Sequence, residues 1–433
     1  MNTTLLPPSE EEVVIKYVCG IDIGNQSCSG CVCQPNKQVV VKPTTFANTK
    51  DGWNVLLTRL EQLEATPNQI VIGIEATARY HENLYHELEQ RGYQLRLLHP
   101  GQTHHFHQQQ GLRAKTDQLD AMTIARLLLT GEERVGYIPG EQIALYREVV
   151  RLHAQLSKEV ARYQNQIHAL VVVLFPEFTQ VIADPCLPSA LAVLKAYPSA
   201  QAVAQAGVKA VSQVLKSVPA AHFGHPTAEK LVVAAQMSVS SGRALSGHTS
   251  SLRVLCDQLE HTQANLTRLE EELEQLITVD PATKGLQQMP ELGPQTVAVL
   301  RAELGEVDRF AHADQAVAYA GMDIEIKESG QWKGKAKLSK HGSGLLRQIL
   351  FLAALRSTRL EGSAFGDYYH HLVARGLKKM SALMAVMRKM VAVATRLMKT
   401  GEDYDPSKVW VGVMSERAPA RSSPPPKSGS RSG

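Results

Sequence analysis

Hydrophobic runs long enough to cross a membrane are missing from this sequence. No apolar stretch in the chain approaches the roughly 18 residues that a bilayer-spanning helix requires. The first twelve residues are polar and acidic, which argues against a secretory signal peptide. Both absences exclude the membrane-embedded and secreted classes, and they predict a cytoplasmic protein.

Cysteine is scarce, and its spacing is not that of a zinc site. The chain has six cysteines, of which four lie near the N-terminus: Cys19, Cys28, Cys31 and Cys33. No second CxxC motif or pair of histidines follows at zinc-finger spacing, and the last two cysteines, Cys186 and Cys256, stand alone in the sequence. Cys31 and Cys33 alternate with Val32 in a strand-like run. These patterns favour buried, reduced thiols over metal ligands.

A strong net charge is also lacking, but the charge is unevenly distributed. The whole chain of 433 residues carries a formal charge of +4. Residues 284–433 hold 23 Lys and Arg against 14 Asp and Glu, whereas residues 1–283 hold 23 against 28. The C-terminal part is therefore a candidate surface for a polyanion, although solvated helix faces would give the same excess. A chain of this length also predicts at least two domains.

The N-terminal part alternates between strand and helix patterns. Two apolar runs interrupted by Gly24-Asn25 predict a hairpin, and KQVVVKPTTF predicts a third strand. Residues 48–65 have helical periodicity, QIVIGIEAT indicates a buried strand, YHENLYHELEQRG a helix closed by Gly92, and YQLRLLHP another strand. This alternation predicts an α/β domain over residues 13–143.

The remaining sequence is mostly helical in pattern. An amphipathic stretch from residue 144 to Leu174 and a second one from about Ser250 predict an antiparallel hairpin or a coiled coil. Residues 178–249, rich in alanine and valine, predict a helical insert between them. We therefore expect coiled-coil helices over residues 144–283, a mostly helical third domain over residues 284–412 and a disordered tail over residues 413–433.

Four acidic residues in the first domain have the pattern of a metal site. Asp22 lies in GIDIGN, at the centre of a predicted strand, and Glu75 ends the strand VIGIE, where an unpaired charge is costly. In KTDQLDA, Asp117 and Asp120 project from one face of a helix. With no cation interleaved, this cluster repels itself unless a positive ion neutralises it, and carboxylate oxygens suit Mg²⁺. Two such ions could activate a nucleophile and stabilise the leaving oxygen of a phosphodiester.

Each of these features also has an ordinary structural explanation. A single strand aspartate is about as often a turn or hydrogen-bonding residue as a metal ligand, and a single DxxD is usually a solvated helix face. A strand Asp, a strand Glu and a helical DxxD, in that order within one α/β domain, form the layout of ribonuclease-H-like nucleases. The conjunction therefore favours a catalytic site.

A basic segment in the C-terminal part could bind nucleic acid. The stretch IEIKESGQWKGKAKL predicts a hairpin that turns at Ser329-Gly330. Its candidate contacts to a nucleic-acid backbone and to a stacked base are Lys327, Lys333, Lys335, Lys337 and Trp332. Lysines at a strand edge can equally serve only to prevent sheet pairing. Upstream, Gly293 precedes a helix whose first backbone amides could hold a phosphate, or could be an ordinary helix start.

Three serines lie in or after this hairpin. A serine hydroxyl is a weak nucleophile that needs a base or a metal, and Glu328 should point to the opposite face from Ser329 in an extended backbone. Taken alone, Ser329 is more simply a turn residue and Ser339 a loop or cap residue. The third serine is Ser343.

These motifs resemble those of the IS110 family of insertion-sequence transposases, which also includes DNA invertases. GIDIGN, GIEAT and KTDQLDA are similar to the DEDD constellation of that family's RuvC-like domain. MPELGPQTVAVLRAELG and KESGQWKGKAKLSKHGSGLLRQIL resemble its second, serine-bearing transposase domain. The resemblance covers residues 15–175 and 284–400 and leaves the insert outside.

The resemblance implies a role for each of these residues. In the family, a serine followed by glycine attacks a DNA phosphodiester and becomes covalently linked to it, and metal-bound acids of the other domain complete that site. Here this serine matches Ser329, with Ser339 second, and the acids match Asp22, Glu75, Asp117 and Asp120. The family's later Ser-Lys pair and leucine-arginine helix add three candidate nucleic-acid contacts: Ser339, Lys340 and Arg347.

The expected function is cut-and-rejoin recombination of donor and target DNA by a bacterial, nucleoid-associated enzyme. The resemblance implies Mg²⁺ as the cofactor, a phosphoserine intermediate and a guide (bridge) RNA from the mobile element. The predicted coiled coil suggests a homo-oligomer, either a dimer or a tetramer. Two alternatives stay open: a metal-dependent junction nuclease, which needs the four acids but not Ser329, and a nucleic-acid-binding protein without catalysis.

Overall fold

The computed structural model describes residues 13–76, 79–110, 116–133, 135–219, 223–243, 245–325, 328–329, 332–333 and 337–410. The chain divides into two units, Met1–Ile138 and Pro139–Gly433. Within the described ranges, no helix is both long enough and apolar enough to cross a lipid bilayer. The predicted tail, residues 413–433, lies outside these ranges.

A five-stranded mixed sheet is the centre of the N-terminal unit. Its strands are β1 (Tyr17–Ile23), β2 (Ser27–Cys33), β3 (Val39–Ala47), β4 (Ile70–Glu75) and β5 (Gln94–Leu98). They lie in the order β3-β2-β1-β4-β5, with β1, β2 and β3 antiparallel and with β4 and β5 parallel to β1. The helices of this unit are α1 (Lys50–Glu61), α2 (Glu82–Gln90), α3 (Pro100–Gln109) and α4 (Asp117–Leu128).

Alternation of side chains along β1 and β4 separates the two faces of the sheet. The isoleucines of these strands pack against leucines of α1 and α2 on one face. On the other face, a Cβ atom added to Gly20 would lie 2.1 Å from the carbonyl oxygen of Ala121, so α4 lies directly against β1. Because successive strand residues point to opposite faces, Asp22 and Glu75 emerge on the same face as α4.

The predicted α/β organisation of this unit is confirmed, with two differences in detail. Each predicted strand and helix is present, and all six cysteines of the chain are free and buried, as expected. Helix α3 was not predicted. Asp22 is the next-to-last residue of β1 and partly exposed, rather than central and enclosed in its strand. A carboxylate at a strand end can stay hydrated, which lowers the cost of its charge.

Two long antiparallel helices, α5 (Glu141–Leu174) and α10 (Leu245–Val279), connect the two hydrophobic cores of the C-terminal unit. Tyr146 near the start of α5 shares a core with Ile277 near the end of α10. Val171 near the end of α5 shares the other core with Leu252 near the start of α10. The predicted antiparallel pair is therefore present, although α10 begins earlier than expected.

The insert between these helices is helical, as its composition predicted. It contains α6 (Phe178–Val181), α7 (Pro188–Ala196), α8 (Ala200–Lys216) and α9 (His225–Gln236). Its core is made of side chains from all four helices together with the adjoining ends of α5 and α10. The insert therefore packs as one body with that end of the helix pair.

The described residues of the C-terminal region are mostly helical, with four two-residue strands. Its helices are α11 (Lys284–Gln287), α12 (Pro294–Leu304), α13 (Ala313–Tyr319), α14 (Gly344–Ser357), α15 (Ala364–Ala374) and α16 (Lys379–Thr400). The strands are β6 (Ile324–Glu325), β7 (Glu328–Ser329), β8 (Trp332–Lys333) and β9 (Lys337–Leu338). A buried ion pair, Arg301 Nε to Asp280 Oδ2 at 2.7 Å, holds α12 to the segment after α10.

Four short 3₁₀ helices complete the described structure. They lie at Pro67–Gln69, Pro281–Thr283, Val307–Arg309 and Pro406–Lys408. Three of the four begin with proline, whose fixed φ angle suits the first position of a helix.

Candidate functional site

The four acids singled out by the sequence line one cleft of the N-terminal unit. This acidic cleft has a volume of about 450 Å³, and its lining includes Asp22, Glu75, Asp117 and Asp120. Asp22 and Glu75 lie at the carboxyl ends of β1 and β4, which are neighbouring parallel strands. In open α/β sheets, ligands bind outside the carboxyl ends of such strands. The cleft therefore has both the position and the charge of a functional site.

Helix α4 brings the other two acids to this position. Its N-cap is Thr116, whose side chain accepts a hydrogen bond from the backbone amide of Leu119 at 3.3 Å. Asp117 and Asp120 lie in the first turn, where the positive end of the helix dipole stabilises negative charge. The close contact between α4 and Gly20 of β1 then places this turn beside the strand ends.

A buried threonine holds the carboxylate of Glu75. The Thr103 hydroxyl donates a hydrogen bond to Oε2 of Glu75, and it also lies 2.9 Å from the carbonyl oxygen of Pro100. Thr103 is buried, so water competes little for this contact. Helix α3 therefore orients one acid of the cleft.

Helix α3 also contributes residues that sequence reasoning missed. Thr103, His104 and His107 line the acidic cleft together with the four acids. The signal was available in the sequence: the histidine-rich run HPGQTHHFHQQQ directly follows the predicted strand β5. It was overlooked because the run has no apolar periodicity, which is the main indicator of a helix.

The donor atoms of the cleft suit a divalent cation. The four carboxylates offer only oxygen, which is the ligand type that Mg²⁺ prefers. Among the residues that the structure describes, these acids do not bring three ligand oxygens within 4.8 Å of one another, so an ion would draw their side chains together. Burial, and then the charge of Asp22, raise the pKa of the Cys28 thiol to about 12. Cys28 is not among the residues that line the cleft.

The predicted nucleophile lies in a small antiparallel ladder in the C-terminal unit. Strands β7 and β8, here called the serine hairpin, pair Ser329 with Trp332 and Glu328 with Lys333. Strands β6 and β9 pair next to it along the chain, with Lys337 opposite Glu325. The predicted hairpin register around Ser329 is therefore present in the backbone. Two other candidates, Lys327 and Lys335, lie outside the described residues.

The loop after β9 holds the other serine candidates. The backbone amide of Ser339 donates to the carbonyl oxygen of Asp323 at 3.0 Å, and that of Lys340 donates to Gly321 at 3.1 Å. Lys340 is exposed and has a left-handed φ of 55°. Ser343 is the N-cap of α14, since its side chain accepts from the amide of Leu346 at 3.2 Å. Ser343 thus has a structural role that explains its presence.

Arg347 and Gly293, two further candidates, have different surroundings. One guanidinium nitrogen of Arg347, Nη1, donates to the carbonyl oxygens of Gly342 at 2.7 Å and of Ala320 at 3.3 Å. Arg347 therefore positions the loop that contains Ser339 and Lys340. Gly293 is the N-cap of α12, and a Cβ atom there would meet open space.

Comparison with known proteins identifies related chains. A family model for DEDD transposases, described as "Transposase", matches residues 19–176, and the model "Transposase IS116/IS110/IS902 family" matches residues 283–370. The chain is 25% identical over 307 residues to an uncharacterized 43.6 kDa protein of insertion element IS110 from Streptomyces coelicolor, covering 69% of this chain and 74% of the relative. It is 20% identical over 400 residues to the pilin gene-inverting protein of Moraxella bovis, covering 90% and 98%.

A third relative belongs to a neighbouring insertion element. It is an uncharacterized 44.8 kDa protein of IS116 from Streptomyces clavuligerus, 21% identical over 297 residues, with 68% of this chain and 73% of the relative covered. The two family models match separate segments that contain the acidic cleft and the serine hairpin, and together they cover more than half of the sequence. The chain therefore belongs to the IS110 family of transposases.

Proposed function

We propose that this transposase cleaves and rejoins DNA strands with Mg²⁺ in the acidic cleft and with Ser329 as the nucleophile. The observation that carries the proposal is the assembly of four acids, spread over residues 22–120, in one cleft at the carboxyl ends of parallel strands. The Moraxella relative is named for inverting a pilin gene, which is a rearrangement of DNA. That activity agrees with a reaction that both breaks and restores strands.

The residues of the cleft have distinct roles in this proposal. Asp22, Glu75, Asp117 and Asp120 would hold the cation, which polarises a phosphodiester and stabilises charge on the leaving oxygen. Thr103 keeps one oxygen of Glu75 oriented through its hydrogen bond. The imidazoles of His104 and His107 face the same space, where their ring N–H groups can donate to a phosphate oxygen.

The proposed covalent step conserves the energy of the phosphodiester. Oγ of Ser329 forms a bond to phosphorus and loses its proton, while the bond from phosphorus to one deoxyribose oxygen breaks and that oxygen takes up a proton. A deoxyribose hydroxyl of the second DNA then attacks the phosphoserine and releases the serine. Because each step exchanges one phosphate ester for another, rejoining needs no ATP.

The finer assignments rest on the family and on charge. We assign residues 13–143 to a RuvC-like domain, because a strand Asp, a strand Glu and a helical DxxD occur there in that order. We assign residues 284–412 to the serine-bearing domain, whose basic excess suits DNA and a bridge RNA. The antiparallel pair of α5 and α10 would be the coiled-coil stalk of a dimer or tetramer.

The test is whether stopping the reaction with denaturant traps DNA on the protein. Full-length protein is incubated with labelled donor and target DNA, Mg²⁺ and the element's transcript, and the adduct is located by mass spectrometry. Ser329→Ala and Asp120→Ala should both lose the adduct and the recombinant product. Ser339→Ala and Ser343→Ala, the matched serine controls, should still form it.

The same experiment separates the alternatives. Cleavage that persists in Ser329→Ala but stops in Asp120→Ala would identify a metal-dependent nuclease with water as the nucleophile. DNA binding without cleavage in the wild type, unchanged in both variants, would identify a non-catalytic binding protein. An adduct mapped to a residue other than Ser329 would refute the assigned nucleophile.

A further inference from the structure

Three different metal-ligand side chains cluster in the C-terminal unit. His168, Asp184 and Cys186 each place one ligand atom within 4.8 Å of the other two. In the part of the chain that the structure describes, no other group of three histidine, cysteine or acidic residues meets this distance. None of the three lines the acidic cleft, and the proposed DNA chemistry does not use them.

The fold holds these three residues in place. His168 follows Ile167, which is fully buried in the core of the insert near the end of α5. Asp184 and Cys186 lie in the connection between α6 and α7. The backbone amide of Cys186 donates to Oδ1 of Asp184 at 2.8 Å, and this same oxygen lies 3.9 Å from Nε2 of His168. Two separate segments thus present their ligand atoms to one point.

Exposure and charge at this cluster suit an ion that enters from solvent. The side chains of His168 and Asp184 are 47% and 53% exposed, whereas Cys186 is only 6% exposed and packs in the hydrophobic core. Because the side chains of His168 and Asp184 are accessible, an ion could enter from solvent and reach the buried sulfur of Cys186. One thiolate, one carboxylate and a neutral imidazole carry two negative charges, which balance a divalent cation.

We propose that His168, Asp184 and Cys186 form a binding site for one Zn²⁺ ion. Sulfur, nitrogen and oxygen donors together suit zinc, whereas Mg²⁺ prefers oxygen alone. Three protein ligands leave a fourth position for water or another ligand. Bound zinc would link the end of α5 to the connection before α7, and so would stabilise the insert, which lies outside both matched family segments.

Binding should release a proton. Burial, and then the charge of Asp184, raise the pKa of the Cys186 thiol to about 11, so the sulfur is protonated before the ion arrives. The S–H bond breaks as the sulfur–zinc bond forms, and the proton passes to the buffer.

Cobalt titration of the full-length protein tests this site. After metal is removed with a chelator, Co²⁺ is added and the thiolate-to-cobalt charge-transfer band is recorded, because the acidic cleft, which no cysteine lines, cannot produce it. The wild type should give the band with a single equivalent, and Zn²⁺ but not excess Mg²⁺ should displace it. Cys186→Ser should lose the band, and His168→Ala should bind at least about tenfold more weakly.

Two variants serve as matched controls. Cys256→Ser removes the other buried thiol of the same core, and Asp22→Ala removes an acid of the cleft; both should keep the band. The proposal fails if the wild type shows no thiolate band. It also fails if His168→Ala, whose exposed side chain can be removed without opening the core, binds cobalt as tightly as the wild type does. Loss of the band in Cys256→Ser alone would assign the metal to a different site.

Discussion

The acidic cleft and the serine hairpin are built in different ways. The cleft lies at the edge of a sheet of five strands of five to nine residues, each paired with its neighbour over five or six residue pairs, and α4 is in backbone contact with β1. In the serine hairpin, as far as the structure describes it, β7 and β8 are two residues each and share two pairs of opposed residues. Isolated two-stranded ladders are only marginally stable in water.

This difference indicates how the two groups reach their reactive geometry. The carboxylates repel one another, so they need a rigid scaffold to keep them together before an ion binds. The proposed nucleophile, Ser329, carries no charge, so in the proposed reaction it would need no such scaffold before it meets a phosphate. We therefore expect substitutions that disturb the sheet to affect folding, and substitutions in the hairpin to affect DNA binding and chemistry without affecting folding.

The largest effect should come from removing an acid of the cleft. Asp22→Ala should reduce strand exchange by about 10³-fold or more, because the proposed cation would lose a ligand. The melting temperature should hold or rise, since a self-repelling cluster loses a charge. Asp51→Ala, which removes an exposed acid from the first turn of α1, should leave strand exchange unchanged and lower the melting temperature slightly, because the helix dipole favours this charge. A large drop in the melting temperature of Asp22→Ala would show that the acid is structural.

Adding a methyl group to the sheet should lower the stability of the fold, whereas removing an acid of the cleft should not. In Gly20→Ala, the new Cβ would lie 2.1 Å from the carbonyl oxygen of Ala121, so α4 must move away from β1. The expected loss is about 3 kcal/mol in the free energy of unfolding, measured by chemical denaturation. Gly30→Ala is the control, because its Cβ would meet only side-chain atoms, the nearest at 3.3 Å. Equal stability of the two variants would contradict the close helix contact.

Removing the hydroxyl that orients Glu75 should slow the reaction moderately. Thr103→Val keeps the shape of the side chain but removes its hydrogen bond to Oε2 of Glu75. We expect the strand-exchange rate to fall about tenfold, in line with the loss of a hydrogen bond to a charged group. Thr123→Val is the matched control, since Thr123 also lines the cleft but donates to the carbonyl oxygen of Leu119 at 2.8 Å. Similar rates for both variants would show that the hydrogen bond from Thr103 to Glu75 does not contribute to the reaction.

The smallest effect should come from single lysines near the hairpin. Lys337→Ala should weaken DNA binding a few-fold and reduce the slope of log affinity against log salt by about one, because one phosphate contact is lost. Lys335→Ala should behave similarly. Lys209→Ala, an exposed lysine on α8, should leave the slope unchanged. Affinity that does not vary with salt would exclude this basic segment from the DNA interface.

Local patterns in the sequence were sufficient for most of the architecture. Apolar runs bounded by turn residues predicted β1, β2 and β4, and helical spacing of apolar residues predicted the long helices α5 and α10. These features depend on neighbouring residues, so they can be recognised without knowing the fold. Helix α3 escaped because its polar, histidine-rich face carries no apolar period, and Asp22 was placed too far inside its strand for lack of a sharp boundary signal.

Short motifs also indicated the four acids, and the family resemblance added a serine followed by glycine. Only the tertiary structure decided which residues meet: Thr103 with Glu75, Arg347 with the carbonyl oxygens of its loop, and His168 with Cys186. Cys186 stood alone in the sequence because one of its proposed partners, His168, lies on another segment. The physical reason is that packing of helices and sheets brings together residues far apart in the chain, whereas spacing along the sequence encodes only the element to which each belongs.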